Sequence, residues 1–155
     1  MSKRGVLANG QPSERARAIY TIGSSNRGPE EFLALLRQHG VQTLVDVRRF
    51  PTSRLAHFQK EPLAEWLQQA GLRYVYLGEE LGGYRSGGYE AYLRTEEFAR
   101  GLERLEALAA ESTVAMMCAE RFPWKCHRRF IGRVLQERGW KVIHIIDEQR
   151  VWIPR

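Results

Sequence analysis

The chain lacks most of the features that would narrow its class at once. It has only two cysteines and six prolines in 155 residues, and two thiols do not make a disulfide framework, so free thiols are expected in a reducing compartment. No apolar run approaches the roughly 18 residues that a membrane-spanning helix needs. The basic opening, MSKRGVLANGQPSERARA, lacks the uninterrupted apolar segment of a secretory leader. A cytoplasmic protein with no membrane partner is the expectation. Internal repeats are also missing, which argues against solenoid architectures, and 155 residues suit one domain with a substantial core.

What is present is an excess of positive charge: 24 Lys and Arg against 18 Asp and Glu, for a net +6. Such a surface attracts polyanions at low salt. Part of the excess (Lys3, Arg4, Arg15, Arg17) falls in residues 1–17, a mixture of Gly, Pro, Ser and charges without periodicity that reads as a disordered basic arm. The folded domain is then 18–155.

From residue 18 onward, short β-rich runs alternate with helical patterns. Strands are expected at Ala18–Ile22, Thr43–Val47, Tyr74–Leu77, Val114–Met117 and Val142–Ile146, with an edge strand at Val151–Ile153 left open because of Pro154. Pro29 suits the first position of a helix and Gly40 its stop. Further helices follow from Pro62, after the N-cap Thr95, and from Pro123 to about Glu137. The alternation predicts an α/β protein, a three-layer αβα sandwich with a mostly parallel, Rossmann-like five-stranded sheet. Ligands in such sheets bind beyond the carboxyl ends of the strands. An order 3-2-1-4-5 would put the crevice between strands one and four.

The polar residues gather at those ends. Ser25 and Asn26 follow strand one; Asp46 and Arg48 close strand two; Cys118 and Glu120 close strand four; Cys126, His127, Arg128 and Arg129 come next, beside the expected helix start at Pro123. Cys118 near several cations suits a lowered thiol pKa and a nucleophile, and equally a buried core thiol. Asp46 and Arg48, two apart on an extended chain, make either an oriented anion-binding arginine or a structural ion pair. His127 is the general acid-base candidate by type. C-x7-C-H is not an established zinc spacing, and no metal or other cofactor is expected. A zinc deaminase signature is declined, since there the Cys-x-Glu opens a helix. A phosphatase loop is declined too, because Cys118 and Arg128 enclose nine residues where five are wanted.

The motifs YTIGSSN at 20–26, LVDVRRFPTSR at 44–54, FQKEPL at 58–63, YVYLGEELGG at 74–83, MCAERFPWKCHR at 117–128 and VIHI at 142–145 together resemble the family catalogued as domain of unknown function 488. The resemblance spans about residues 18–147. It implies an αβα fold and makes Asp46, Arg48, Cys118, Glu120, Cys126, His127 and Arg128 the positions to watch. In that family the first turn reads T-I-G-H-S-N; here Ser24 stands at the histidine's place, so any role resting on that histidine is lost.

The function expected is binding of a phosphate-bearing ligand, nucleotide or nucleic acid, by Ser25, Asn26, Asp46, Arg48 and Arg128, with hydrolase or transferase chemistry at Cys118, Glu120 and His127. Two alternatives stand beside it. One is a non-catalytic nucleic-acid module using the loop after strand two and Tyr84-Arg85, with structural cysteines; the other is a thiol redox protein. Four tryptophans and six tyrosines leave room for a homodimer interface or for core packing alike.

Overall fold

The computed structural model describes residues 17–155. The expected arm therefore lies outside the described residues, apart from Arg17, whose Nε and Nη2 donate to the carbonyls of Gly139 and Arg138 at 3.2 and 3.1 Å.

In chain order the elements are β1 (Ala18–Gly23), α1 (Pro29–Gln38), β2 (Thr43–Asp46), α2 (Lys60–Gln69), β3 (Arg73–Tyr76), α3 (Gly78–Leu81), α4 (Tyr89–Tyr92), α5 (Glu96–Glu111), β4 (Val114–Cys118), α6 (Arg128–Glu137), β5 (Lys141–Ile145) and β6 (Val151–Trp152). The sheet has six strands in the order β3-β2-β4-β1-β5-β6, all parallel except β6, which runs antiparallel to β5. Six strands replace the five expected, because the residues before Pro154 do form an edge. β4 lies between β2 and β1, which corrects the order 3-2-1-4-5.

Side chains alternate across the sheet as a period of two requires. Ile19, Val45, Val114, Met116 and Val142 pack toward α5 and α6, against Leu102, Leu105, Ile131 and Leu135. Ile22, Leu44, Ala115, Met117 and Ile145 pack toward α1 and α2, against Phe32, Leu36, Leu63 and Leu67. Both faces are thus covered, as a parallel sheet demands, and the central strand β4 is buried throughout. Thr95 caps α5 by accepting from the Phe98 N–H at 3.2 Å.

The helix expected from Pro123 does not start there. Pro123–Lys125 is a single 3-10 turn, Cys126 returns to extended geometry (φ −142°, ψ 156°), and α6 begins only at Arg128. No described helix is long and apolar enough to cross a membrane.

Candidate functional site

The site forms where adjacent strands send the chain to opposite faces. After β2 the chain turns toward the α1/α2 face, and after β4 toward the α6 face, so their carboxyl ends part around a cavity of ≈ 630 Å³. On the other side of β4 the segments that leave β1 and β4 stay laced together. The N–H groups of Ser24 and Ser25 donate to the carbonyls of Cys118 and Ala119, both at 2.8 Å. A Cβ on Gly23 would sit 1.8 Å from the Glu120 carbonyl oxygen, so only glycine permits this lacing. The crevice expected between β1 and β4 is closed, and the open one lies between β2 and β4. Ser25 and Asn26 do not line it; Asn26 Oδ1 instead accepts from Arg121 Nη2 at 3.3 Å.

Asp46 and Arg48 make the wall on the β2 side. Asp46 ends the strand with its carboxylate turned onto the next residues: Oδ1 accepts from the Arg48 N–H at 3.1 Å and from Nε at 2.9 Å, and Oδ2 from Nη2 at 2.8 Å and the Tyr74 hydroxyl at 2.6 Å. Four acceptances satisfy a carboxylate. Arg48 Nη1 donates onward to the carbonyls of Phe58 at 2.7 Å and Thr52 at 3.3 Å. Only 5% exposed, Arg48 holds the loop between β2 and α2 in place, and the ion-pair reading of this couple is the one the geometry favours. Burial and the Asp46 carboxylate push the Tyr74 hydroxyl far above its ordinary range, so it stays a donor.

Arg128 does the same for the β4 side. Fully buried, it donates from Nε to Cys118 Sγ at 3.0 Å, from Nη1 to Thr21 Oγ1 at 2.8 Å and from Nη2 to the Glu120 carbonyl at 2.5 Å. It therefore fixes the end of β4 and does not reach the cavity, contrary to its expected role as an anion clamp.

The thiols lie between these walls. Cys118 is 3% exposed and Cys126 half-buried, and both line the cavity together with Glu120 and His127. His127 Nε2 donates to the Val47 carbonyl at 2.8 Å, which turns Nδ1 toward Cys126 Sγ at 3.6 Å. Cys126 Sγ also accepts from the Arg128 N–H, the first of α6, at 3.5 Å. The two thiols then part in acidity. A hydrogen bond from Cys118, with His127 and Arg128 close by, pulls Cys126 well below the usual cysteine range. Burial, and that same hydrogen bond, push Cys118 up. Cys126 is thus the less buried thiol and the one whose surroundings favour the thiolate, whereas residue type and neighbouring charge had pointed to Cys118.

Arg49, Phe50 and Tyr89 were not singled out from the sequence, and Tyr84 was named there only for the nucleic-acid alternative. Arg49 donates from Nη1 to the Tyr84 carbonyl at 2.5 Å and lines the cavity, and its Nε and Nη2 make no hydrogen bond among the described residues. Exposed Lys125 also lines the cavity; its backbone N–H donates to the Phe122 carbonyl at 3.1 Å, and its ammonium makes no hydrogen bond or ion pair among the described residues. Phe50 and Tyr84, 59% and 83% exposed, stand at the mouth with ring centroids 5.9 Å apart. Buried Tyr89 forms part of the floor beside the His127 ring, at 5.4 Å between centroids. An exposed aromatic next to an arginine was the available signal for the mouth. Among the described residues no cluster of three or more His, Cys, Asp or Glu could hold a metal ion.

No curated protein and no solved structure matches the chain. The family model described as Domain of unknown function DUF488 does match, over residues 28–135. That span is more than half of the chain and runs from the start of α1 through the cavity residues into α6, and the protein belongs to that family.

Proposed function

We propose that this protein, an αβα sandwich of Rossmann-like design working in a reducing compartment such as the cytoplasm, binds a phosphate-bearing small molecule, a nucleotide in the first instance, between the ends of β2 and β4. Hydrolase or transferase chemistry is assigned to Cys126. One observation carries the reading: a cysteine in contact with an imidazole, itself anchored on a backbone carbonyl, shares its cavity with two cations whose donors remain available, Arg49 and Lys125.

A nucleophile, a base and a group that orients the base make up the general logic of covalent catalysis. Cys126 sulfur attacks the electrophilic centre, His127 Nδ1 carries the proton toward the leaving group, and Arg49 and Lys125 hold the phosphate. Glu120 stands where it can activate a water for the second half of the reaction. The N-terminus of α6 supports the thiolate through its first N–H. Asp46, Arg48 and Arg128 build the walls.

Thermal unfolding with phosphate and with nucleotides tests the binding half. A ligand at a hundred times its dissociation constant stabilises the native state by about 2.7 kcal/mol, and Arg49→Ala with Lys125→Ala should remove the shift. Unchanged melting for every phosphate compound, or a shift that survives both substitutions, would overturn it. Iodoacetamide labelling tests the thiolate: Cys126 should react at pH 6 ahead of Cys118, and more slowly in His127→Ala.

The exposed Phe50–Tyr84 pair favours a second reading, a nucleic-acid strand stacked on the mouth. It has less cationic support than the sequence suggested. Arg85 is tied to the carbonyls of Gly82 and Glu79 and lies over the Tyr92 ring at 4.0 Å. Affinity that falls steeply with salt would select the polymer over the nucleotide.

A further inference from the structure

The two cysteines are joined through one residue. Arg128 donates from its backbone N–H to Cys126 Sγ and from its guanidinium Nε to Cys118 Sγ, at 3.5 and 3.0 Å. Both sulfurs face the same cavity, yet they differ in access: Cys118 is closed in at the end of the central strand, while Cys126 sits in the extended step before α6 and is half-buried. An open sulfur backed by a closed one suits a pair that attacks and then resolves. Buried Tyr89 lines the cavity beside them, its ring 5.4 Å from that of His127, and the mouth is flanked by Phe50 and Tyr84. A small organic molecule passes such an opening more readily than a folded protein partner.

We propose that Cys126 and Cys118 form a dithiol that reduces hydroperoxides. Cys126 sulfur attacks the terminal peroxide oxygen; the S–O bond forms as the O–O bond breaks, and the departing alkoxide takes a proton through His127 Nδ1 and leaves as the alcohol. Cys126 is then a sulfenic acid. Cys118 gives up its proton and attacks the Cys126 sulfur, the S–S bond forms, and hydroxide leaves with that proton as water. Arg128 Nε steadies the Cys118 sulfur during this second attack. The sum is one hydroperoxide and two thiols going to one alcohol, one water and one disulfide, a two-electron exchange. Return to the dithiol takes two equivalents of a low-molecular-weight thiol. The inference rests on the Cys126 thiolate of the proposed function and not on the phosphate site.

The test is intact-mass analysis of the reduced full-length protein after one equivalent of hydrogen peroxide or cumene hydroperoxide, followed by peptide mapping. The expected result is loss of two hydrogens with Cys118 and Cys126 linked, reversal by glutathione, and no link in Cys126→Ser. In Cys118→Ala the sulfenic acid should persist and be captured by dimedone. The wild-type protein decides even where a variant folds poorly. Addition of oxygen atoms at Cys126 without a bridge, or a reduced protein after full peroxide treatment, would overturn the inference. Cys126 labelling at pH 6 separates the two failures: rapid labelling without a bridge sinks only the dithiol, whereas slow labelling sinks the shared thiolate.

Discussion

An arginine carries five N–H groups, and counting where they go separates structural arginines from those free to meet a ligand. Arg48 lines the cavity and Arg128 lies buried behind it, and both direct their donors into the protein, to a carboxylate and two carbonyls in one case and to a thiol, a hydroxyl and two carbonyls in the other. Residue type alone made them look like anion ligands; the adjacent Arg49 and Lys125, less conspicuous in sequence, keep that capacity. A buried pair is costly to break from one side because the remaining charge loses its partner. Asp46→Asn should therefore cost about 3–5 kcal/mol, read as a lower urea midpoint with an unchanged slope. A loss below about 1 kcal/mol would mean that the loop between β2 and α2 is held by something else.

The elements themselves were largely legible. Each strand came from a β-rich run, and the ends marked by Pro29, Gly40 and Thr95 follow from local backbone chemistry. The neighbour relations were not, because a period of two says which face a side chain takes and nothing about which strand lies beside it. Placing β4 between β2 and β1 moved the crevice by one strand and left Ser25 and Asn26 outside it. The helix start was misjudged for a different reason: Pro123 does open a helical turn, but that turn ends at Lys125, and Cys126 and His127 gain their positions from the break. The segment between α3 and α4 carries a further signal that only coordinates reveal. Tyr84 has φ 60°, a left-handed conformation that disfavours a bulky side chain by roughly 1–2 kcal/mol. Its ring is almost wholly exposed, so packing does not compensate. Tyr84→Gly should raise stability by about 1 kcal/mol in thermal unfolding while weakening any ligand that stacks at the mouth. Equal or lower stability would show that the loop depends on the ring, and unchanged ligand affinity would remove Tyr84 from the site.

Across the whole molecule, acid should act through two histidines that desolvation holds neutral, the buried His144 and the half-buried His39. His144 lies on β5, its Nδ1 accepting from the Thr21 hydroxyl at 2.6 Å, which in turn accepts from Arg128 Nη1. Its ring stacks on Trp152 at 5.3 Å. Burial and the Arg128 charge pull His144 down to about 3. Desolvation also lowers His39, whose Nε2 is buried without a hydrogen-bond partner among the described residues. A group with a depressed native pKa binds protons more readily unfolded, so its stabilising contribution is complete above the unfolded value near 6.5 and is lost as pH falls. Between pH 6.5 and 4.5, above the range where most carboxylates titrate, His144 alone should remove about 1.4 kcal/mol per pH unit, and His39 a smaller share. Against a typical total of roughly 5–15 kcal/mol this is a substantial loss within the mildly acidic range. His144→Gln keeps an acceptor for the Thr21 hydroxyl and cannot titrate. Urea unfolding at half-unit pH steps should give a shallower slope for His144→Gln than for the wild type, converging toward low pH. Parallel slopes would mean that His144 takes its proton inside the folded protein, and that the Thr21–Arg128 network tolerates a second positive charge.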